Sequence, residues 1–151
     1  MQDSLGKAKN YAFLLLKFRP RSEKELSQRL KLKKFDPEII KRTLQFLKDK
    51  DFINDSYFAG AWIESRLKRP LGLRRINQEL RIKGIDKEII DTKIQAIKKS
   101  YSEEGIVKKL IQERFKRLKG VDPRKAKARV YSYLIRRGFF PEIVSEAINQ
   151  L

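Results

Sequence analysis

The sequence has no cysteine and no histidine among its 151 residues. Disulfide bonds, thiolate metal sites and every mechanism that needs an imidazole or a thiol are therefore excluded. Long apolar runs are missing too: the longest covers residues 11–16, whereas a membrane-spanning helix needs about 20 residues. Lys17 and Phe18 follow that run, instead of the small residues of a signal-peptide cleavage site. We therefore expect a soluble cytoplasmic protein without a membrane partner.

Signatures of catalysis are equally scarce. The sequence has no glycine-rich phosphate-binding loop followed by lysine and serine or threonine. Nucleotide hydrolysis that depends on such a loop is therefore excluded. Carboxylates such as Asp36, Asp86 and Asp122 fall at predicted helix starts, where capping and the helix dipole explain them. We expect that the protein is not an enzyme and uses no cofactor, no metal and no small-molecule substrate.

Acidic residues are few compared with basic ones. The chain has 19 Asp and Glu against 37 Lys and Arg, which gives a net charge of +18. A field of that size attracts polyanions and accelerates encounter with acidic surfaces. Nucleic acid, or a complex of protein and nucleic acid, is therefore the expected partner; the alternative is a solvated surface without a special role.

What the sequence does contain is an internal repeat. Residues 29–40 (RLKLKKFDPEII) recur at 79–90 (ELRIKGIDKEII) and, more weakly, at 133–144 (YLIRRGFFPEIV). Repeats of roughly 20–50 residues indicate stacked supersecondary units in which each copy covers its neighbour. Apolar residues follow the helical period throughout, between capping residues, glycine and proline. We predict an all-α fold without strands: an elongated tandem array of three three-helix repeats, about nine helices in all.

The predicted boundaries give one repeat-built domain over residues 1–151, with copies at about 7–50, 54–100 and 104–151. Gly84 and Gly138 are predicted to end the second helix of their copies in the left-handed conformation. Lys34 occupies the same position in the first copy, so we expect that turn to be closed in another way. A monomer is the expected state.

Cations recur around the junction of the first and second helices of each copy. In a stack, these junctions would fall along one edge and could form a contact surface for a polyanion. The alternative for each cluster is an ordinary charged helix surface. The candidate contact residues are Arg19, Arg21, Arg66, Arg69, Arg74, Arg75, Arg117 and Arg124.

Aromatic side chains raise the question of base stacking, which single-strand binders use. Phe58 and Trp62 fall on an apolar stripe, so packing in the core is the better interpretation for them. Tyr57, Tyr131 and Tyr133 are less clearly placed and both interpretations stay open.

Three motifs together resemble the RecX family of bacterial regulatory proteins. They are Arg21-Ser22-x-x-Glu25-Leu26, Asn54-Asp55-x-x-Phe58-Ala59 and Gly72-x-x-Arg75-Ile76-x-x-Glu79-Leu80-x-x-Lys83-Gly84-Ile85. The resemblance covers nearly the whole chain and departs from the family at Asn54, where an aspartate is favoured, and at the missing glycine of the first copy. It implies a protein that binds in the groove of the RecA filament on single-stranded DNA. There it would oppose filament extension and suppress ATP hydrolysis, strand exchange and SOS co-protease activity.

The alternative function is a basic helical protein that binds DNA or RNA phosphates directly. It predicts tight nucleic-acid binding without any partner protein and an affinity that falls steeply with salt.

Overall fold

The computed structural model describes residues 2–151 and contains nine α-helices and no strand in that range. In chain order they are α1 (Gln2–Phe18), α2 (Glu23–Leu32), α3 (Pro37–Asp49), α4 (Asp55–Leu67), α5 (Leu73–Ile82), α6 (Lys87–Lys98), α7 (Glu103–Arg117), α8 (Pro123–Arg136) and α9 (Pro141–Asn149). The all-α prediction with three helices per copy is confirmed. Local signals explain the helix starts: Ser22 and Glu25 form a capping box before α2, and proline occupies the first turn of α3, α8 and α9.

The helices divide into two compact units, each with its own core. The described part of the first unit covers residues 2–62 and 80–90. Its helices α1, α2 and α3 pack on one another and bury Ala8, Ala12, Leu26, Leu30 and Leu47 completely. These residues follow the helical period within each helix, which is why the stripes seen in the sequence face inward.

The second unit covers residues 63–79 and 91–151. Helices α7, α8 and α9 pack pairwise in it. Their shared core consists of Val107, Leu110, Ile111, Val130, Leu134, Phe139, Val144, Ala147 and Ile148. Phe139 is fully buried in it. In the first unit, Phe58 is buried, which confirms the core interpretation for Phe58, and Trp62 is partly buried and stacks on Phe58 with ring centroids 5.9 Å apart.

The second helix of every copy ends in a left-handed residue. Gly84 has a φ of 81° and Gly138 of 90°, as predicted, and Lys34 has a φ of 65°. The expectation that the first copy closes its turn in another way is therefore wrong. The same backbone hydrogen bond closes all three turns: Phe35 N to Leu30 O at 3.2 Å, Ile85 N to Leu80 O at 3.1 Å, and Phe139 N to Leu134 O at 3.2 Å. Lysine adopts this conformation at a cost of about 1–2 kcal/mol because the hydrogen bond and the helix packing hold it there.

In the first unit, the turn after α5 lies against the start of α2. Ser22 Oγ donates a hydrogen bond to the carbonyl oxygen of Lys83 at 2.7 Å. Lys83 Nζ donates to Glu25 Oε2 at 3.1 Å. Ser22 is fully buried and its hydroxyl is satisfied by this bond, whereas the side chains of Lys83 and Glu25 stay partly exposed.

The second unit contains the equivalent joint, between the turn after α8 and the start of α5. Gly72 N donates to Arg137 O at 2.8 Å and Arg74 N to Gly138 O at 3.2 Å. A Cβ atom at Gly72 would lie 2.1 Å from the carbonyl carbon of Gly138, so the two backbones approach too closely for any side chain. Gly72 is the repeat counterpart of Ser22, and the joint therefore recurs with different side chains.

Candidate functional site

Carboxylates neutralise three of the predicted contact arginines. Arg19 Nη2 lies 2.6 Å from Glu25 Oε2. Arg66 forms a two-point ion pair with Glu79, whose Oε1 accepts from Arg66 Nε at 2.8 Å, and Arg75 Nε is 3.7 Å from the same carboxylate. The hydrogen bond to Glu79 raises the pKa of Arg66. These guanidinium groups have a structural partner within their own unit.

Arg21 is half-buried and has a different environment. Its Nε is shielded from solvent and makes no hydrogen bond within the described chain. Burial lowers the pKa of Arg21, and the neighbouring charges of Arg19 and Arg29 act in the same direction. A guanidinium held in this way contributes positive potential to the first unit without a carboxylate that neutralises it fully.

Four predicted contact residues are exposed: Arg69, Arg74, Arg117 and Arg124. None of them forms an ion pair with a described carboxylate. They are available to a partner as the sequence predicts, although a contact of these residues with a partner stays a prediction.

Arginines converge on one groove between α7 and α8, in the second unit. Arg114 and Arg117 of α7 and Arg129 and Arg136 of α8 line a hollow of about 500 Å³; we call it the arginine groove. Within residues 2–151, no carboxylate pairs with any of these four guanidinium groups. No described carboxylate offsets their mutual repulsion, and the chemistry of the groove suits a phosphate or carboxylate group.

Tyr133 holds part of this groove in place. The guanidinium carbon of Arg114 lies 3.6 Å from the centroid of the Tyr133 ring, and that of Arg137 lies 5.6 Å from it. Such cation–π contacts orient a guanidinium without neutralising it. The sequence left the role of Tyr133 open; in the structure its ring contacts two arginines. Tyr57 is 71% exposed.

Only Arg117 of the groove was among the predicted contact residues; Arg114, Arg129 and Arg136 were missed. Their spacing along the two helices could have indicated that they share helix faces. Arg114 and Arg117 are three residues apart on α7, and Arg129 and Arg136 are seven apart on α8, which places each pair on one helix face. Arg124 lies near the start of α8 and does not line the groove.

Two glutamates outside the groove have opposite electrostatic environments. Burial alone would raise the pKa of Glu25, but hydrogen bonds from Arg19, Ser22 and Lys83 outweigh it and lower the pKa to about 2. Burial raises the pKa of Glu103 and outweighs the opposite effect of the backbone N–H of Leu73, which donates a hydrogen bond to Glu103 Oε1 at 2.6 Å. Both carboxylates have structural roles that account for them.

Within the described range, the acidic side chains form no group of three or more that could hold a metal ion. No helix there has the length and apolar character needed to cross a bilayer.

Comparisons with known proteins match this architecture copy by copy. The family models for the first, second and third three-helix domains of RecX match residues 8–47, 54–93 and 102–148. The chain belongs to the RecX family. It is 31% identical to the Regulatory protein RecX of Clostridium beijerinckii over 151 residues, which is 99% of this chain and 70% of the relative. The RecX protein of Chlorobium limicola is 31% identical over 149 residues and is matched over 91% of its length.

Solved structures of RecX proteins share the fold. The crystal structure of RecX from Lactobacillus salivarius superposes with a TM-score of 0.85 at 22% identity, over 100% of this chain and 98% of that one. A second crystal structure of a regulatory protein RecX gives a TM-score of 0.83 at 23% identity and covers 99% of this chain and 73% of that one. The resemblance read from the three motifs is therefore confirmed, and the relatives are regulatory proteins by name.

Proposed function

We propose that this RecX family chain is a negative regulator of the RecA recombinase, binding along the groove of the RecA filament on single-stranded DNA. It suppresses filament extension, ATP hydrolysis, strand exchange and SOS co-protease activity, as a cytoplasmic monomer without catalytic activity of its own. The observation that carries the proposal is the set of unpaired arginines on a chain of net charge +18. Relatives named as regulatory proteins support it.

The proposed mechanism uses several weak contacts. A recombinase filament on DNA offers phosphates and carboxylates, and arginine binds both groups through two parallel hydrogen bonds. When one chain contacts neighbouring protomers, each contact raises the effective concentration of the next, so modest affinities combine. Protomers that are held together cannot make the rearrangements that turnover requires.

The direct test is ATP hydrolysis by RecA on single-stranded DNA, with this protein titrated well below the RecA concentration. Loss of turnover at substoichiometric amounts is expected, because one bound chain would affect more than one protomer. Inhibition that appears only when the DNA is saturated would contradict the proposal and indicate competition for phosphates.

Charge-neutralising variants locate the contact surface. We expect Arg117, Arg129 and Arg136 changed together to glutamine to raise the half-inhibitory concentration about tenfold or more, a loss of at least ~1.4 kcal/mol. The matched control replaces the exposed residues Arg29, Arg42 and Arg81 with glutamine, removes the same charge, and should change inhibition less than about threefold. Equal effects of both triple variants would show that net charge alone is responsible.

Among the predicted contact residues outside the arginine groove, Arg74 is a better choice than Arg75 for testing a contact with the partner. Arg74 is exposed, whereas a carboxylate at position 75 would face Glu79 and disturb the fold. Arg74→Glu should weaken inhibition while helicity by circular dichroism is unchanged. Unchanged inhibition would remove Arg74 from the contact set.

The arginine groove also favours a second function, direct binding of nucleic acid. Four guanidinium groups without a described carboxylate partner line this groove, and they could bind the phosphates of free nucleic acid as well as a RecA filament. In this case a labelled oligonucleotide would bind without RecA, and the logarithm of its affinity would fall linearly with the logarithm of the salt concentration. The Arg117, Arg129 and Arg136 variant would then lower the slope of that line, which the matched control would not.

A further inference from the structure

A second groove on α7 differs in chemistry from the arginine groove. It has a volume of about 600 Å³ and is lined by Ile111, Phe115, Lys116, Lys119, Lys127 and Leu151; we call it the lysine groove. Its α7 residues alternate along the helix with Arg114 and Arg117 of the arginine groove. The two grooves therefore use different faces of α7.

The floor of the lysine groove is apolar. Ile111 is 2% exposed and belongs to the core of the second unit, and Phe115 packs partly against that core. Leu151 is 63% exposed at the side of the groove. An apolar side chain placed on this floor would displace water from surfaces that are already held rigid by the core, which favours binding.

The rim of the lysine groove is positively charged. Lys116, Lys119 and Lys127 are exposed, and across residues 2–151 none of them has a carboxylate within ion-pair distance. An apolar floor with three free ammonium groups around it is complementary to a ligand with an apolar centre and acidic flanks.

We propose that the lysine groove binds an acidic peptide segment of a partner protein that carries one large apolar side chain. The apolar side chain would contact Phe115 and Leu151, above the buried Ile111, and the flanking Asp and Glu side chains would pair with the three lysines. This inference does not rest on regulation of RecA, because it concerns any partner with a segment of this chemistry.

Two other occupants fit the groove less well. Nucleic acid would place sugars and phosphates on the apolar floor, whereas the arginine groove offers phosphates the planar donors that they prefer. A second copy of this chain would bring another body of charge +18 against a rim of the same sign, which opposes association.

The experiment uses fluorescence anisotropy of a short labelled peptide in which Asp and Glu residues surround one central Phe. Binding is measured to the full chain without RecA, at about 0.15 M salt, where the Debye length of about 8 Å suppresses the long-range field. A second peptide has Ser in place of Phe. We expect it to bind at least about fivefold more weakly, a difference of ~1 kcal/mol; equal binding of both peptides would overturn the role of the floor.

Two triple variants of equal charge test the rim. Lys116, Lys119 and Lys127 are changed to glutamate in one, and the exposed residues Lys31, Lys41 and Lys50 in the other. The first should weaken peptide binding about tenfold or more and the second less than about threefold. Equal losses of peptide affinity in both variants would overturn the proposal and show that the overall positive charge of the chain attracts the peptide without a specific site.

Two further outcomes would also overturn it: an oligonucleotide that displaces the peptide from the lysine groove, or self-association by sedimentation that the first variant abolishes. Circular dichroism of both variants establishes that helicity is unchanged.

Discussion

Replacement of Glu25 by glutamine tests whether charge holds the joint of the first unit. The carboxylate accepts hydrogen bonds from Arg19 Nη2 at 2.6 Å, Ser22 N at 3.1 Å and Lys83 Nζ at 3.1 Å. Burial opposes ionisation, but these donors lower its pKa from 4.5 to about 2. At 1.36 kcal/mol per pKa unit this corresponds to about 3 kcal/mol. Because the Arg19 side chain is 42% exposed and water screens the pair, we expect about 1–2 kcal/mol.

The pH dependence of this contribution has a definite sign. The pKa of Glu25 is lower in the folded chain than in the unfolded chain. Its stabilising contribution is therefore complete above about pH 5 and is lost as the pH falls from about 4.5 toward 2. The native protein loses this contribution in acid, whereas Glu25→Gln lacks it at every pH. The difference in free energy of unfolding between them should shrink by more than half between pH 7 and about pH 3.

Urea unfolding of both proteins, followed by circular dichroism between pH 7 and about pH 3, measures that difference. Salt is kept constant, because a strongly basic chain gains further repulsion in acid. A difference that stays the same over the whole pH range would refute the reasoning, since it would mean that the shape of the side chain matters and its charge does not.

Three further substitutions and one control substitution have predicted effects on the free energy of unfolding, each measurable by urea denaturation. Glu103→Gln should leave the free energy of unfolding at pH 7 unchanged or raise it. Burial raises the pKa of Glu103 in the folded chain. The stabilising contribution of Glu103 is therefore present below the pKa of the unfolded chain and is lost as the pH rises through the pKa of the folded chain. A destabilisation at pH 7 that persists in acid would contradict this. Gly138→Ala should lower the free energy of unfolding by more than about 3 kcal/mol, because the new Cβ would lie 2.1 Å from the Cβ of Arg75 and the φ of Gly138 is 90°. Gly6→Ala is the control, because Gly6 lies in open space on α1. This control should raise the free energy of unfolding by about 0.5–1 kcal/mol. Lys34→Gly should stabilise by about 0.5–1 kcal/mol, because relief of left-handed strain exceeds the entropy that glycine loses; no gain would mean that the Lys34 turn is unstrained.

Most of the fold could be predicted because its determinants are local. Stripes of apolar residues at helical spacing, capping residues and prolines all act within about one turn. Leu26, Leu30, Leu80 and Leu134 are fully buried as their place in the repeat predicts. The turn at Lys34 was predicted wrongly because a glycine is the usual but not the necessary residue there, and the hydrogen bond that closes the turn involves only backbone.

The candidate site was harder to predict because part of the ion pairing depends on distant residues. Arg66 pairs with Glu79, thirteen positions away, and Glu25 pairs with Lys83, 58 positions away. Nothing in a window of ten residues indicates which cations have such partners. Helical spacing could have placed Arg129 and Arg136 on one face, but only the packing of α7 against α8 brings them to Arg114.

The two joints involve two of the predicted contact arginines: Arg19 pairs with Glu25 at the first joint, and Arg75 lies next to Gly138 at the second. The joints lie at equivalent positions of the repeat but use different bonds. The first is held by the side chains of Ser22, Glu25 and Lys83, and the second by backbone hydrogen bonds and the close approach of Gly72 to Gly138. Motif residues at these corners therefore belong to the packing of the repeat. Cations without a described carboxylate partner occur both at these corners, as Arg69 and Arg74, and on the helix faces that line the arginine groove. In proteins of this architecture we therefore expect the contact residues among arginines that have no carboxylate within reach, whether they lie at a corner or on a helix face.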